Sequence, residues 1–189
     1  FEDLRRGIRS FSGLIAYNEV VVAFRGDSRG PAEFRMGYEV SNDFFRILQI
    51  EPHVGRGFRA EDEVAGSAPV VVLSHSLWKN EFTADPAVIG QRVVLSNLTC
   101  TVAGVAPEEF TGLDQFLRPD FFIPAATGSK LYSDLENQWT DRGRRLFLVK
   151  GRLKRDVPLR VAAQEAAALA KSLEALYPAT NRGYGATVN

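Results

Sequence analysis

Residues 69–105 constrain the fold more than any other part of the 189-residue chain. The segment begins with Val70–Leu73, a continuous apolar run rich in β-branched side chains, which is typical of a strand covered on both faces. Ser74 follows directly, and its hydroxyl can accept a hydrogen bond from a free amide at the start of a helix. Trp78 and Phe82 lie four residues apart, so both project from the same side of that helix. The segment therefore opens as a strand followed by a helix.

The second half of this segment predicts a short helix and a hairpin. Asp85 and Pro86 suit the start of a one-turn helix, because the first can cap it and the second fits its first position. Two apolar runs follow at residues 92–95 and 100–105. A turn joins them, and Asn97 in that turn can adopt a positive φ. The whole segment reads strand, helix, short helix, hairpin.

Further elements are predicted on both sides of this segment. They are a helix within residues 1–17, strands at 20–24, 33–40, 120–124 and 146–153, a short helix at 42–48 and a long helix at 159–177. In the long helix an apolar stripe recurs at intervals of three and four residues, formed by Ala162, Ala166, Leu169, Leu173 and Leu176. This stripe needs a partner from earlier in the chain, and the strands at 20–24 and 33–40 are available.

Composition excludes several classes of function. The chain has 23 basic and 23 acidic residues, and this balance argues against nucleic acid as a main partner, because phosphate contacts need a basic excess. Its single cysteine, Cys100, cannot form an intramolecular disulfide, and inside a strand pattern it is interpreted as a small core residue. No apolar run approaches the length of about 18 residues that a membrane-spanning helix requires.

Residues able to carry chemistry are few and badly spaced for it. His53 and His75 lie 22 positions apart and neither belongs to a ligand-spaced pair, while one cysteine excludes the usual multi-cysteine zinc sites. Ser74 is explained better as a helix cap than as a nucleophile beside His75. No complete nucleotide-binding motif is present. We therefore predict no catalytic, cofactor-binding or metal-binding residue, and structural roles for Ser74, His75 and Cys100.

Two loops deserve separate interpretations. Arg56 lies in a tight loop just before an acidic run, residues 61–63, which favours an ion pair or a carbonyl-capping role. The loop at residues 106–119 carries three apolar residues, Phe110, Leu113 and Phe116. They either tuck into the core or form an apolar contact site at a loop tip. The sequence leaves both alternatives open.

Short motifs spread over nearly the whole chain carry a family resemblance through their order and spacing. They include Val40-Ser41-Asn42-Asp43-Phe44-Phe45, Gly55-Arg56-Gly57-Phe58, Val70-Val71-Val72-Leu73-Ser74 with Leu77-Trp78, Thr101-Val102-Ala103-Gly104-Val105, Gly151-Arg152-Leu153-Lys154 and Tyr177-Pro178. In these the chain resembles the MacB-like periplasmic core domain of ABC-transporter permeases. It departs from the family pattern at Ser96-Asn97, where members usually have Asn-Gly, and before the last helix.

The resemblance implies an α+β fold with two lobes of mixed α/β structure. A porter-like lobe would combine residues 1–65 and 126–189 and stand nearest the membrane. An inserted strand-helix-hairpin lobe, residues 66–125, would be distal to the membrane and would carry Phe110, Leu113 and Phe116 as partner contacts.

The same resemblance implies a function without catalysis or a cofactor. The domain would lie on the periplasmic or extracellular face of the bacterial inner membrane, between two transmembrane helices of a permease, and would couple their motion to a periplasmic partner or substrate. Its partners would be the rest of the permease chain, a cytoplasmic ATPase acting through it, and a periplasmic adaptor or substrate. The alternative is an extracytoplasmic domain that binds a small molecule or peptide in a cleft.

Overall fold

A computed structural model describes residues 1–26, 30–64, 66–114, 116–132, 139 and 141–189. The chain divides into two compact units: the first contains Phe1–Ala16 and Asn137–Asn189, and the second contains Tyr17–Glu136. Each unit contains helices and strands, which confirms the predicted α+β class. Within the described residues, no helix combines the length and apolar character that crossing a membrane requires.

Helices and strands are interspersed along the chain. The helices are α1 (Glu2–Gly7), α2 (Phe44–Leu48), α3 (His75–Glu81), α4 (Ala125–Leu131), α5 (Leu159–Leu176) and α6 (Pro178–Asn181). The strands are β1 (Phe11–Arg25), β2 (Glu33–Val40), β3 (Val54–Gly55), β4 (Val70–Leu73), β5 (Arg92–Leu95), β6 (Leu98–Val105), β7 (Phe121–Pro124) and β8 (Leu148–Leu153). Short 3₁₀ helices cover Ala60–Glu63 and Pro86–Val88.

Strands of the second unit form a closed ring. Their order is β2, β7, β4, β6, β5, β1, and β1 pairs back to β2 in antiparallel register from Tyr17 opposite Val40 to Phe24 opposite Glu33. β2 and β4 run parallel to β7 and β6, respectively, while the remaining ring pairs are antiparallel. Each ring strand therefore has a hydrogen-bonded neighbour on both sides.

Alternate side chains of β1 face the core of this unit. Val20, Val22 and Phe24 are buried there, together with Val71 and Leu73 of β4. Trp78 of α3 joins the same cluster with 4% of its surface exposed, and its indole N–H donates to the carbonyl of Asp85 at 2.9 Å. These contacts confirm that α3 packs through Trp78 on the strand before it.

The predicted helix caps of the central segment are confirmed, but the turn residue with a positive φ is not the predicted one. The Ser74 hydroxyl accepts from the Leu77 amide at 3.1 Å, and the Asp85 carboxylate accepts from the Ala87 amide at 2.9 Å. Between β5 and β6 the positive φ, +56°, belongs to Ser96, where the sequence predicted Asn97. The amide of Ser96 donates to a carbonyl of β1 at 2.7 Å, and this bond holds the turn against the neighbouring strand.

The first unit begins with a shorter helix than predicted. α1 ends at Gly7 and β1 begins at Phe11, so the prediction of one helix within residues 1–17 is wrong beyond Gly7. The carboxylate of Glu165 on α5 accepts hydrogen bonds from the amides of Arg9 and Ser10, both at 2.8 Å, and from the Ser10 hydroxyl. These bonds hold the chain extended where a longer helix would need those amides.

α5 ends one residue before its predicted end, and its buried face consists of small side chains: Ala162, Ala166 and Ala170. Its partner includes α1, where a Cβ added to Gly7 would lie 2.6 Å from Leu169. The stripe predicted for this helix stops short of its end, because Leu176 is 69% exposed.

Bounds of the two units differ from those of the predicted lobes. Residues 17–65, which the prediction assigned to the lobe of the chain ends, belong to the second unit. The physical reason is the ring, because β1 and β2 supply two of its six strands.

Removing the Trp78 side chain should destabilise the chain strongly. Trp78→Ala is expected to lower the free energy of unfolding by about 3–5 kcal/mol, because it leaves a cavity in the core and frees the Asp85 carbonyl. Chemical denaturation measures this change. Val21→Ala is the matched control, since Val21 is 61% exposed in the same unit, and equal midpoints for the two variants would contradict the packing of Trp78.

Candidate interaction surface

The loop between β6 and β7 is anchored by an aromatic residue. Phe110 is half-buried, and its ring centroid lies 5.6 Å from that of Phe122, 6.0 Å from Phe44 and 6.5 Å from Phe45. Phe44 and Phe122 are fully buried and Phe45 is nearly so. Phe110 therefore attaches the loop to the core of the second unit, as one of the two sequence alternatives predicted.

Hydrogen bonds between side chains and backbone groups hold described residues of the same loop beyond Phe110. The Asp114 carboxylate accepts from the amides of Phe116 at 2.8 Å and Leu117 at 3.3 Å. The carbonyl of Leu117 accepts from the Tyr38 hydroxyl at 3.4 Å. Gly112 has φ of +110°, and a Cβ there would lie 2.6 Å from Pro119, so the loop needs glycine at this position.

The side chain of Phe116 projects from the loop into solvent. It is 90% exposed, and its neighbour Leu117 is 40% exposed, whereas Leu113 is half-buried. Of the three residues singled out in the sequence, two are thus half-buried and one is exposed. An exposed apolar side chain on a loop held by several hydrogen bonds is available for contact with another surface. We call Phe116 and Leu117 the apolar tip.

Arg56 and Asp62 form a bidentate ion pair close to β3. Two guanidinium nitrogens lie 2.6 and 2.9 Å from the two carboxylate oxygens, and one also donates to the Gly57 carbonyl at 2.9 Å. Both roles predicted for Arg56 are therefore present. Burial by itself raises the pKa of the Asp62 carboxyl, but hydrogen bonds from Arg56 and the Arg59 amide outweigh it and hold the pKa below its usual value.

Two histidines that are distant in sequence are neighbours in the structure. The ring centroids of His53 and His75 lie 5.2 Å apart, and each lies 5.3 Å from that of Trp78. A bond from the His53 amide to the Val105 carbonyl at 2.8 Å brings the first histidine to this place. The spacing of the two histidines in the sequence does not indicate that they are close. Their contact depends on how the strands of the second unit come together.

Reactive groups elsewhere have structural environments. Cys100 is completely buried, and burial raises the pKa of its thiol to about 12, so the thiol stays protonated at neutral pH. Ser74 caps α3 as described above. Across the part of the chain that the structure describes, no group of three or more His, Cys, Asp or Glu side chains is arranged to hold a metal ion.

Comparison with known families identifies the domain. A family model described as the MacB-like periplasmic core domain matches residues 1–176. The chain belongs to this family. Its members are periplasmic domains of ABC-transporter permeases, so the family assignment made from the motifs is confirmed.

Solved structures share the fold at low sequence identity. The periplasmic region of MacB from Actinobacillus actinomycetemcomitans has a TM-score of 0.61 at 19% identity, covering 91% of this chain and 70% of that one. A domain of a putative permease from Porphyromonas gingivalis has a TM-score of 0.64 at 14% identity, covering 95% and 73%. The extracellular domain of the transporter YknZ from Gram-positive bacteria has a TM-score of 0.63 at 13% identity, covering 94% and 83%.

Curated relatives are much longer than this chain. The macrolide export ATP-binding/permease proteins MacB from two strains of Burkholderia pseudomallei are 28% identical to it over 90 residues. That match covers 48% of this chain and 14% of each relative. The likeness concerns a small part of those proteins.

Two phenylalanines of one loop should respond differently to truncation. Phe110→Ala is expected to destabilise the chain by about 2–4 kcal/mol, because its ring packs among buried aromatic side chains. Phe116→Ala should change the free energy of unfolding by less than about 0.5 kcal/mol, because the side chain is exposed. Thermal or urea unfolding measures both, and a large cost for Phe116→Ala would show that the apolar tip is packed.

The ion pair should make stability depend on pH in the acid range. Asp62→Asn should cost about 1–3 kcal/mol at neutral pH, because it removes a charged partner of Arg56. The folded pKa of Asp62 lies below its unfolded value of about 3.9, so the contribution is complete above that pH and is lost as pH falls through the folded pKa.

Urea unfolding at a series of pH values measures this effect. The difference between the parent chain and Asp62→Asn should be constant from about pH 5 to about pH 8 and shrink below about pH 4. Glu2→Gln removes an exposed pair with Arg5 and is the control, with little effect expected. A difference that grows toward low pH would contradict the assignment.

Proposed function

We propose that this domain is a non-enzymatic coupling module on the periplasmic or extracellular face of the cell membrane. It passes motion of the permease's transmembrane helices to a periplasmic partner or substrate. The observation that carries the proposal is the division of the chain: both ends belong to one unit, and the other unit is inserted between them. A domain fastened at both ends through one unit can be moved as a body by the segments that hold it.

Bonds between the two ends support this mechanism. Asp3 and Arg142 form a bidentate pair with both distances at 2.9 Å, and Glu165 binds the amides of Arg9 and Ser10. The beginning and the end of the chain are thus tied together inside the first unit. A displacement applied to one end is therefore transmitted to the other. On this basis the first unit is the membrane-proximal part of the domain.

The apolar tip supplies the contact with a partner. Phe116 is presented by a loop that Phe110 anchors, so it can contact another surface without first becoming ordered. Half-buried Leu113 would contribute at the edge of the same contact. A periplasmic adaptor or the substrate would meet the apolar tip, and a cytoplasmic ATPase would drive the motion through the transmembrane helices.

Substitutions in the complete permease test this proposal. Phe116→Asp should remove the permease-dependent phenotype that deletion of the gene reveals, because an acidic side chain opposes an apolar contact. Abundance of the permease in the membrane and its associated ATPase activity should stay at the parent level. Val64→Asp is the matched control, since Val64 is 60% exposed in the same unit and outside the apolar tip. A normal phenotype with Phe116→Asp would rule out the contact.

A further inference from the structure

Net charge is divided unequally between the two units. The first unit has 13 basic and 6 acidic residues, a formal charge of +7, while the second has 10 basic and 17 acidic residues, a formal charge of −7. The neutral total of the whole chain hides this difference. A basic unit that contains both chain ends is electrostatically suited to an anionic surface.

A cavity of about 580 Å³ in the first unit combines arginines with aromatic side chains. The ring centroids of Trp139 and Phe147 lie 3.9 Å apart with the rings tilted by 35°, and the guanidinium of Arg145 lies 3.5 Å from the ring centroid of Tyr184. Tyr184 is 55% exposed. Aromatic rings beside arginines are the composition that proteins use at the level of lipid headgroups.

Acidic residues at the cavity are engaged by other arginines. Asp3 pairs with Arg142, and Asp141 lies 3.5 Å from Arg144. Glu2, the third acid of the lining, pairs with Arg5 at 2.8 Å and lies 3.9 Å from Arg6.

Arg145 has only neutral partners among the described residues. Its Nη2 donates to the Thr180 carbonyl at 2.6 Å and to the Asn181 side-chain oxygen at 3.1 Å, and its face covers Tyr184. No carboxylate in the described part of the chain therefore neutralises the positive charge of Arg145. Its remaining N–H groups can donate to a phosphate, which a guanidinium binds well.

We propose that this surface, formed by Arg6, Arg145, Trp139, Phe147 and Tyr184, docks on anionic phospholipid headgroups of the membrane. Arg145 binds the phosphate, Arg6, whose side chain is 80% exposed, adds charge at the edge, and the aromatic rings lie at the interface. The inference rests on the proposed function, in which the first unit is nearest the membrane. Charge complementarity with an anionic bilayer selects this occupant.

Vesicle flotation with the 189-residue chain tests the docking. The chain should float with vesicles containing about one third phosphatidylglycerol and remain unbound to pure phosphatidylcholine vesicles. Emission from Trp139 should shift to shorter wavelength on binding, while Trp78, 4% exposed, provides a constant background. Trp139→Phe should abolish the shift.

Arginine variants distinguish a localised headgroup site from general electrostatic attraction between the basic unit and the vesicles. Arg145→Gln should weaken binding about five-fold, as expected for one interfacial cation. Arg160→Gln makes the same charge change on the exposed start of α5, ten residues or about 15 Å along the helix from Ala170 of the cavity, and should have a much smaller effect. Arg6→Gln is a second variant that alters no buried contact, and it should also weaken binding.

Several outcomes would overturn the inference. Equal losses for Arg145→Gln and Arg160→Gln, or equal binding to neutral vesicles, would mean that no localised headgroup site exists. Displacement from vesicles by soluble glycerol phosphate at matched ionic strength would assign the site to a free phosphate instead. Failure of flotation leaves the result for Phe116→Asp unchanged, because that experiment reads contact at the other unit, so failure of the two proposals can be told apart.

Discussion

Pairing of β1 with β2 on one side and β5 on the other closes the ring on which the second unit depends. The closure at β5 rests on two residue pairs, Phe24 with Leu95 and Arg25 with Val94. Phe24 also places its ring among the buried side chains, 6.2 Å from that of Phe121. Every strand of the ring has two hydrogen-bonded neighbours. For this reason even strands of four residues, such as β4 and β7, are stable as part of it.

The parts of the fold that were predicted correctly from the sequence depend on interactions between residues that are close together in the chain. β4, α3 and the following turn are determined by Ser74, Asp85 and the apolar residues close to them, and the Arg56–Asp62 pair joins residues six positions apart. The start of β1 had no local cause. It is decided by Glu165, a residue 155 positions beyond Ser10, whose carboxylate takes the amides that a continuing helix would use. The proximity of the two histidines has the same kind of distant origin.

The candidate surface shows why composition alone left two alternatives open. Phe110 and Phe116 are identical residues in one loop, six positions apart, and no local pattern separates them. The difference comes from what the rest of the fold provides: a cluster of buried aromatic side chains surrounds Phe110, whereas Phe116 has no such cluster around it among the described residues and is 90% exposed. The sequence therefore identifies the loop, while the folded structure decides which residue anchors it and which remains free to bind.

The net charge of each unit also became visible only in the folded structure. A net charge of zero excludes a chain that is basic throughout, but it is an average over two units of opposite sign. The basic unit is assembled from segments at opposite ends of the sequence, so its charge cannot be counted until the fold has brought them together. In the membrane docking proposed above, the positive charge of the first unit favours an anionic surface, whereas the negative charge of the second unit gains nothing from it.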